Sequence, residues 1–299
     1  MAEHAIKEAN SKTENKEKDN LEEWTTIIKP RTGWLDINVA ELWRYRDLIT
    51  LFVRRDFVAQ YKQTILGPLW FLIQPLLTTI VFTIIFGRIA QISTDGLPQF
   101  LFYMAGVTAW NYFAACLTKT SDTFVANANI FGKVYFPRLT VPVAIVITNL
   151  ISFAIQFSLF LAFTAYFYIQ GSKIEPNIWM LATPLLLIQM AALGLGVGII
   201  VSSLTTKYRD LIYLVGFGSQ LWMYATPIVY PISQIPAKWQ WVYAFNPMAA
   251  VIGTFRYAFL GGSAVQLSQL ALSAALTAVV LFIGIVLFSR IEKTFMDTV

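Results

Sequence analysis

Few residues in this chain have the types and spacing that covalent chemistry needs. The one cysteine, Cys116, lies in an apolar stretch, so neither an intrachain disulfide nor a thiolate metal site can be built. A small buried apolar side chain is the simpler reading. The one histidine, His4, sits in a polar tail, which removes zinc and imidazole acid–base chemistry. Gly194, Gly196 and Gly198 contain a small-xxx-small pair with no strand before it, so they read as a helix-packing face and not as a dinucleotide loop. No phosphate loop of the form G-x-x-x-x-G-K-[ST] occurs, so if ATP drives this protein, another chain binds it. A membrane enzyme would want carboxylates at the water interface. On the topology derived below the outer side offers only Asp95 and Glu175, on separate loops.

The elements that must position these residues are apolar helices. The chain has 299 residues, 57% apolar and 13% charged, against about 25% charged in soluble domains. Charge crowds into the first 67 residues and then nearly vanishes from long windows. A bilayer core takes about 20 apolar residues per helix, which predicts an all-α membrane protein with six spans. They run near Pro68–Phe86, Pro98–Leu117, Leu139–Tyr168, Ile178–Thr205, Leu211–Tyr230 and Leu267–Phe288. The third and fourth exceed the bilayer thickness and should tilt or extend into water. None of these windows holds a Lys, Arg, Asp or Glu, which argues against ion-coupled transport and voltage sensing. Asn149, Gln156, Gln189 and Gln220 read as helix–helix hydrogen bonders, with pore lining as the alternative.

Loop charge sets the orientation. With the N-terminus inside, 18 Lys and Arg fall on the cytoplasmic side against 4 outside, namely Arg88, Lys173, Lys238 and Arg256. Both termini are then cytoplasmic. The start, residues 1–33, lacks the apolar core of a secretory signal and reads as a loosely ordered extension.

Two features go beyond six plain helices. In "DLITLFVRRDFVAQYKQTILGPLW", Ile49, Phe52, Val53, Phe57 and Tyr61 share one side of a helix and Arg44, Arg55 and Lys62 another. That is the pattern of a helix lying in the membrane interface. Asp56 and Gln60 interrupt the stripe, so that face is expected to meet protein as well as lipid. Residues 34–67 form this interface region, and Gly67–Pro68 turns the chain into the first span. Between the fifth and sixth spans, residues 231–265 are too polar to cross yet too aromatic for a plain loop, with Asn246–Pro247 and Gly261–Gly262 as punctuation. Two short re-entrant helices reconcile these facts; an aromatic belt is the alternative. The pentapeptide "YRDLI" occurs at Tyr45–Ile49 and Tyr208–Ile212 with unrelated flanks. It reads as two helix starts at the cytoplasmic surface, with Asp at the positive helix end and Arg among phosphates.

These stretches, with "NIFGKVYFPRLTVP", "KYRDL", "TPIVYPISQIP" and "NPMAAVIGTFRYAF", resemble the membrane subunit of polysaccharide-exporting ABC transporters of the ABC-2 type over about residues 40–297. Exporters of lipid-linked O-antigen are the most similar members, with teichoic acid and capsule exporters close by. The resemblance implies a homodimer in a bacterial inner membrane, with two separate ATPase subunits that bind ATP and Mg, membrane phospholipids around it, and no nucleic acid. It implies ATPase contact by the interface helix and by the loop Thr118–Arg138, hence by Arg46, Asp47, Arg54, Arg55, Asp56, Lys133, Arg209 and Asp210. Binding of phospholipid headgroups is the rival role for Arg54, Arg55 and Lys62. A channel along spans one and five would be lined by Trp70, Phe71, Gln74, Tyr224 and Tyr230, whose flat faces suit sugar rings. Trp241, Asn246, Pro247 and Arg256 mark the re-entrant region. The same fold on a drug, lipid or small molecule, and a membrane glycosyltransferase using Asp95 or Glu175, are the alternatives.

Overall fold

The computed structural model describes residues 39–298 except Gln63, Tyr135, Thr206, Lys207 and Arg209, with backbone alone at 39–41, Tyr61, Ala237 and 291–298. The expected extension over 1–33 lies outside the described residues. Residues Ile37–Val299 form one compact unit, in which every regular element among the described residues is a helix.

Two helices, Val39–Arg44 and Arg46–Tyr61, precede the first span. Gly67 then takes φ +50°, a left-handed backbone that favours glycine, and Pro68 occupies the start of the next turn. Five helices are long and apolar enough to cross a membrane: Gly67–Ile89, Gln99–Ser121, Thr140–Ile169, Ile178–Thr205 and Leu267–Arg290. We number them spans 1, 2, 3, 4 and 6.

The expected fifth span is shorter than the sequence suggested. Helix Leu211–Ala225 has 15 residues, about 22 Å at 1.5 Å per residue, against about 30 Å of hydrocarbon. It stops because Pro227 disfavours helical backbone at the residue before it, and Thr226 is extended, with φ −98° and ψ 143°. The expected end at Tyr230 is therefore corrected to Ala225. The expectation of spans without charge is corrected too. Arg88 and Arg290 stand at helix ends, and span 2 continues past Leu117 to Ser121, carrying Lys119 with it. Nothing in that last turn breaks a helix, and the Thr118 and Ser121 hydroxyls donate back to the Ala114 and Thr118 carbonyls.

Span 2 is the central post: every residue from 101 to 110 is buried. It packs on spans 3 and 4, and span 4 packs in turn on span 6. The glycines of span 4 set those distances. A Cβ on Gly194 would lie 2.8 Å from Cys116 Cβ, and one on Gly198 would lie 2.6 Å from Thr120 Cβ, both on span 2. Gly196 faces the other way, where a Cβ would meet Leu281 Cα at 2.8 Å. The packing-face reading is thus what the helices do. Polar side chains add cross-links: Asn111 donates to Gln156 (3.2 Å), Lys119 to Asn149 (3.1 Å) and Gln189 to Ser273 (2.6 Å).

Gly196→Leu should force spans 4 and 6 apart at a cost of about 1–3 kcal/mol or more, lowering the thermal midpoint in detergent by several degrees. Gly216→Ala, where a Cβ meets nothing within 4 Å, should leave the midpoint unchanged or slightly higher.

Candidate functional site

The interface helix Arg46–Tyr61 is anchored by aromatic rings. Phe52 is buried with its ring 5.6 Å from Phe136, which lies 5.6 Å from Phe131. Phe124 joins the cluster 5.9 Å from Phe131 and stacks on Phe288 of span 6 at 4.8 Å. Tyr45, Leu48, Ile49 and Val53 pack on the same cluster, so the apolar stripe does meet protein. Asp56, which interrupts that stripe, is held by Arg55 Nε at 2.7 Å. Arg55 also reaches Asn127 Oδ1 at 3.5 Å and lies 4.7 Å over the Phe52 ring.

The structure therefore brings Arg55 and Asp56 against the segment 118–138, which carries the short helices Thr123–Ala126 and Ala128–Phe131. Arg46, Asp47, Arg54, Lys133 and Asp210 are exposed. Arg209 and Lys207 lie outside the described residues. Both YRDLI copies do stand at helix starts, but no side chain caps either helix. Asp47 is inside the first turn, 3.8 Å from Arg46, and Asp210 has helical φ and ψ of −66° and −22°, which keeps its carboxylate from the first free N–H groups. Neither Asp caps its helix, and the favourable position left to both is the positive end of the helix dipole.

At the other end, the region expected to re-enter folds as two short helices, Ala237–Ala244 and Pro247–Leu260. Asn246 makes the corner. Its Oδ1 accepts from the Met248 N–H at the start of the second helix and from Trp222 Nε1, both at 3.2 Å, while its Nδ2 donates to Thr226 Oγ1 at 3.0 Å. The Pro247 carbonyl accepts from Ser273 of span 6 at 2.8 Å. Trp241 is 63% exposed on the first helix and takes no part in this corner.

Arg256 does not belong with the outer loop cations where the sequence put it. It is only 6% exposed, and its Nε donates to the Phe102 carbonyl of span 2 at 3.1 Å. Its Nη1 donates to the Pro227 carbonyl at 2.6 Å and its Nη2 to the Ile228 carbonyl. The guanidinium lies 3.6 Å from the Phe102 ring centroid. It faces inward because Pro227 ends the preceding helix and leaves buried carbonyls with no helical partner, and a planar guanidinium satisfies several at once. Gly106 makes the room: a Cβ there would meet Arg256 Nη2 at 2.6 Å. Neither Gly106 nor Phe102 was legible as part of this clamp, because the partners stand about 150 residues away in sequence.

The candidate channel residues fall into two groups. Tyr230 donates to the Tyr224 carbonyl at 3.1 Å and shares a 2.8 Å hydrogen bond with the Tyr243 hydroxyl. With Trp222, Trp239, Tyr243 and Phe245 it walls an open groove of about 840 Å³. Trp70, Phe71 and Gln74 lie instead on a separate groove between spans 1, 2 and 3. Asp95 accepts from the Ser233 hydroxyl at 2.8 Å and the Ser263 hydroxyl at 3.3 Å, which ties loops together. Glu175 is exposed, and its backbone N–H donates to the Leu260 carbonyl.

Residues 47–260 match the family model described as ABC-2 type transporter. An O-antigen export system permease protein of Klebsiella pneumoniae, RfbA, is 28% identical over 253 residues, 84% of this chain and 94% of that protein. A second protein of that name from the same organism is 28% identical over 252 residues. The RfbA permease of Myxococcus xanthus is 26% identical over 263 residues, 87% of this chain and 98% of its own length.

Arg256→Ala leaves two buried carbonyls unpaired and should cost about 3–5 kcal/mol, read as a loss of monodisperse protein and of thermal stability. Arg256→Lys should rescue only part, since an ammonium lacks the planar fork. Gly106→Ala should destabilise by a smaller amount by displacing the same guanidinium.

Proposed function

Since the chain belongs to the ABC-2 type transporter family, we propose that it is the multi-pass permease subunit of an ATP-driven exporter of lipid-linked polysaccharide, O-antigen first among its cargoes. The observation that carries this reading is the likeness to O-antigen export permeases over 94% and 98% of their lengths. In this reading the chain works as a homodimer in the inner membrane with both termini cytoplasmic. Two partner ATPases hold the ATP and Mg. The Lys/Arg bias supports the orientation, and the burial of Arg256 sharpens it by leaving only Arg88, Lys173 and Lys238 outside.

The ATPases dock on the exposed charges of Arg46, Asp47, Arg54, Lys133 and Asp210, with Arg55 and Asp56 joining the interface helix to the loop beneath them, and Arg209 beside Asp210. Nucleotide-driven closure pushes on that helix. The push passes through the Phe52–Phe136 contact to the start of span 3, and through the Phe124–Phe288 stack to span 6. Rings packed this closely transmit displacement because interiors have no slack.

The glycan passes between two copies, along span 1 of each and the short helix Leu211–Ala225. Trp70, Phe71 and Gln74 form one wall, and Tyr224 and Tyr230 the other. Support for a pathway completed by a second copy comes from the single chain, where Trp70, Phe71 and Gln74 sit on one groove and Tyr230 on another. The side chains of Tyr213, Phe217 and Leu221 on the short helix are also largely exposed. Aromatic faces hold sugar rings by stacking without a fixed charge, which lets a long polymer slide.

Coexpression with the candidate ATPase tests the reading. Arg54→Glu with Lys133→Glu should lower the co-purified ATPase about tenfold by placing like charges at the dock. Phe52→Ala should keep assembly while reducing, several-fold, the stimulation of ATP hydrolysis by lipid-linked glycan. Glycan alteration by this chain alone, lost in Asp95→Asn or Glu175→Gln, would instead establish a membrane enzyme.

A further inference from the structure

Span 2 and span 3 each present a polar stripe to the same groove. Asn111 and Lys119 are eight residues apart on span 2, about two helical turns, hence on one face. Asn149, Ser152 and Gln156 follow at helical spacing on span 3. Gln74 of span 1 closes the third side, and the enclosed space is about 200 Å³. Some of this polarity is internally used: Asn111 donates to Gln156, and Asn149 accepts from Lys119 and donates to the Ile145 carbonyl.

Two groups remain uncommitted. The Lys119 ammonium has three donors and makes one hydrogen bond, to a neutral amide oxygen, with no carboxylate within 4 Å among the described residues. The acid nearest at hand on the interface helix, Asp56, is already held by Arg55 at 2.7 Å. Ser152 is 8% exposed, lines the groove, and its hydroxyl has no hydrogen-bond partner. A buried hydroxyl without a partner costs about 1–3 kcal/mol, and Lys119, which lines the groove and is exposed, is accessible to an anion from outside the protein.

The groove also has a defined depth. Lys119 is two residues from the end of span 2, and Trp70 and Gln74 are in the first turns of span 1. Both lie at the end of the bundle that carries the interface helix. Trp70 is half exposed at the margin, so the groove is bounded by an aromatic ring of the kind found at headgroup level.

We propose that this groove binds the anionic phosphate of a lipid headgroup, admitted sideways from the leaflet next to the interface helix, with Lys119 as its counter-ion and the Ser152 hydroxyl as a donor. The shared chemistry is a lipid phosphate monoanion or dianion, whether from bulk phospholipid or from a polyprenyl carrier. The groove shares Trp70, Phe71 and Gln74 with one wall of the proposed glycan path, whereas Lys119 and Ser152 are not part of that wall and test the lipid site separately.

Native mass spectrometry of the detergent-purified chain tests it, with phosphatidylglycerol, phosphatidylcholine of equal chain length, undecaprenyl phosphate and inorganic phosphate as probes. The expected result is a bound phosphatidylglycerol or undecaprenyl phosphate whose Kd rises about tenfold in Lys119→Met, a few-fold in Ser152→Ala, and little in Lys119→Arg. Lys173→Met, an exposed cation elsewhere, should leave it unchanged. Preference for undecaprenyl phosphate assigns the carrier headgroup, and preference for phosphatidylglycerol assigns bulk lipid; either supports the site. Equal binding of phosphatidylcholine, displacement by inorganic phosphate at equal concentration, or unchanged affinity in folded Lys119→Met and Ser152→Ala would overturn it.

Discussion

The guanidinium of Arg256 and the two carbonyls beneath it are the constraint on which much of this structure rests. A chain that leaves helical backbone away from water must satisfy every freed N–H and C=O from within. Pro227 ends the helix Leu211–Ala225, and the Pro227 and Ile228 carbonyls that result are buried. One side chain from the second re-entrant helix answers both, and it reaches the Phe102 carbonyl of span 2 as well. The short fifth helix, the broken segment after it and the re-entrant pair are consequently one solution and not three separate features.

That solution fixes one end of the molecule, and aromatic packing fixes the other. Asn246 and the Gln189–Ser273–Pro247 chain of hydrogen bonds hold the re-entrant corner to span 4 and span 6. The rings of Phe52, Phe124, Phe136 and Phe288 hold the interface helix to spans 3 and 6. Between these ends the glycines of span 4 let spans 2 and 6 approach it so closely that a Cβ at Gly194, Gly196 or Gly198 would not fit. Spans 1 and the Leu211–Ala225 helix stand outside this column with many exposed apolar residues. Physical slack is therefore concentrated in the two helices proposed to line the cargo path, while the column between them stays rigid.

Much of this was legible in the sequence because long apolar windows and helical periodicity are local signals. The amphipathic helix before span 1, the two short helices over 237–260 and the glycine face of span 4 follow from local composition and spacing. Long-range pairing was not legible. Arg256 looked like an outer cation because charge invites a surface reading, and only the position of Pro227 in space shows what it satisfies. Lys119 looked like a loop residue because hydropathy falls before the helix does, so span 2 was expected to stop at Leu117. The Asp of each YRDLI was placed at a helix start correctly, but capping depends on the backbone of a single residue, and Asp210 adopts helical angles that remove it. Trp70, Phe71 and Gln74 fall on one groove and Tyr230 on another, a division that spacing within a helix does not reveal.

The central claim is transport of a glycan on a lipid by this permease with a separate ATPase, and the most direct measurement is translocation in sealed vesicles. The chain and its candidate ATPase are reconstituted with lipid-linked polysaccharide, and the amount of glycan reached by a membrane-impermeant glycan-cleaving enzyme is followed over time. The account predicts protected or exposed glycan changing sides only when both proteins and hydrolysable ATP are present. Movement without ATP or without the ATPase, or none with the complete complex turning over ATP, would contradict it.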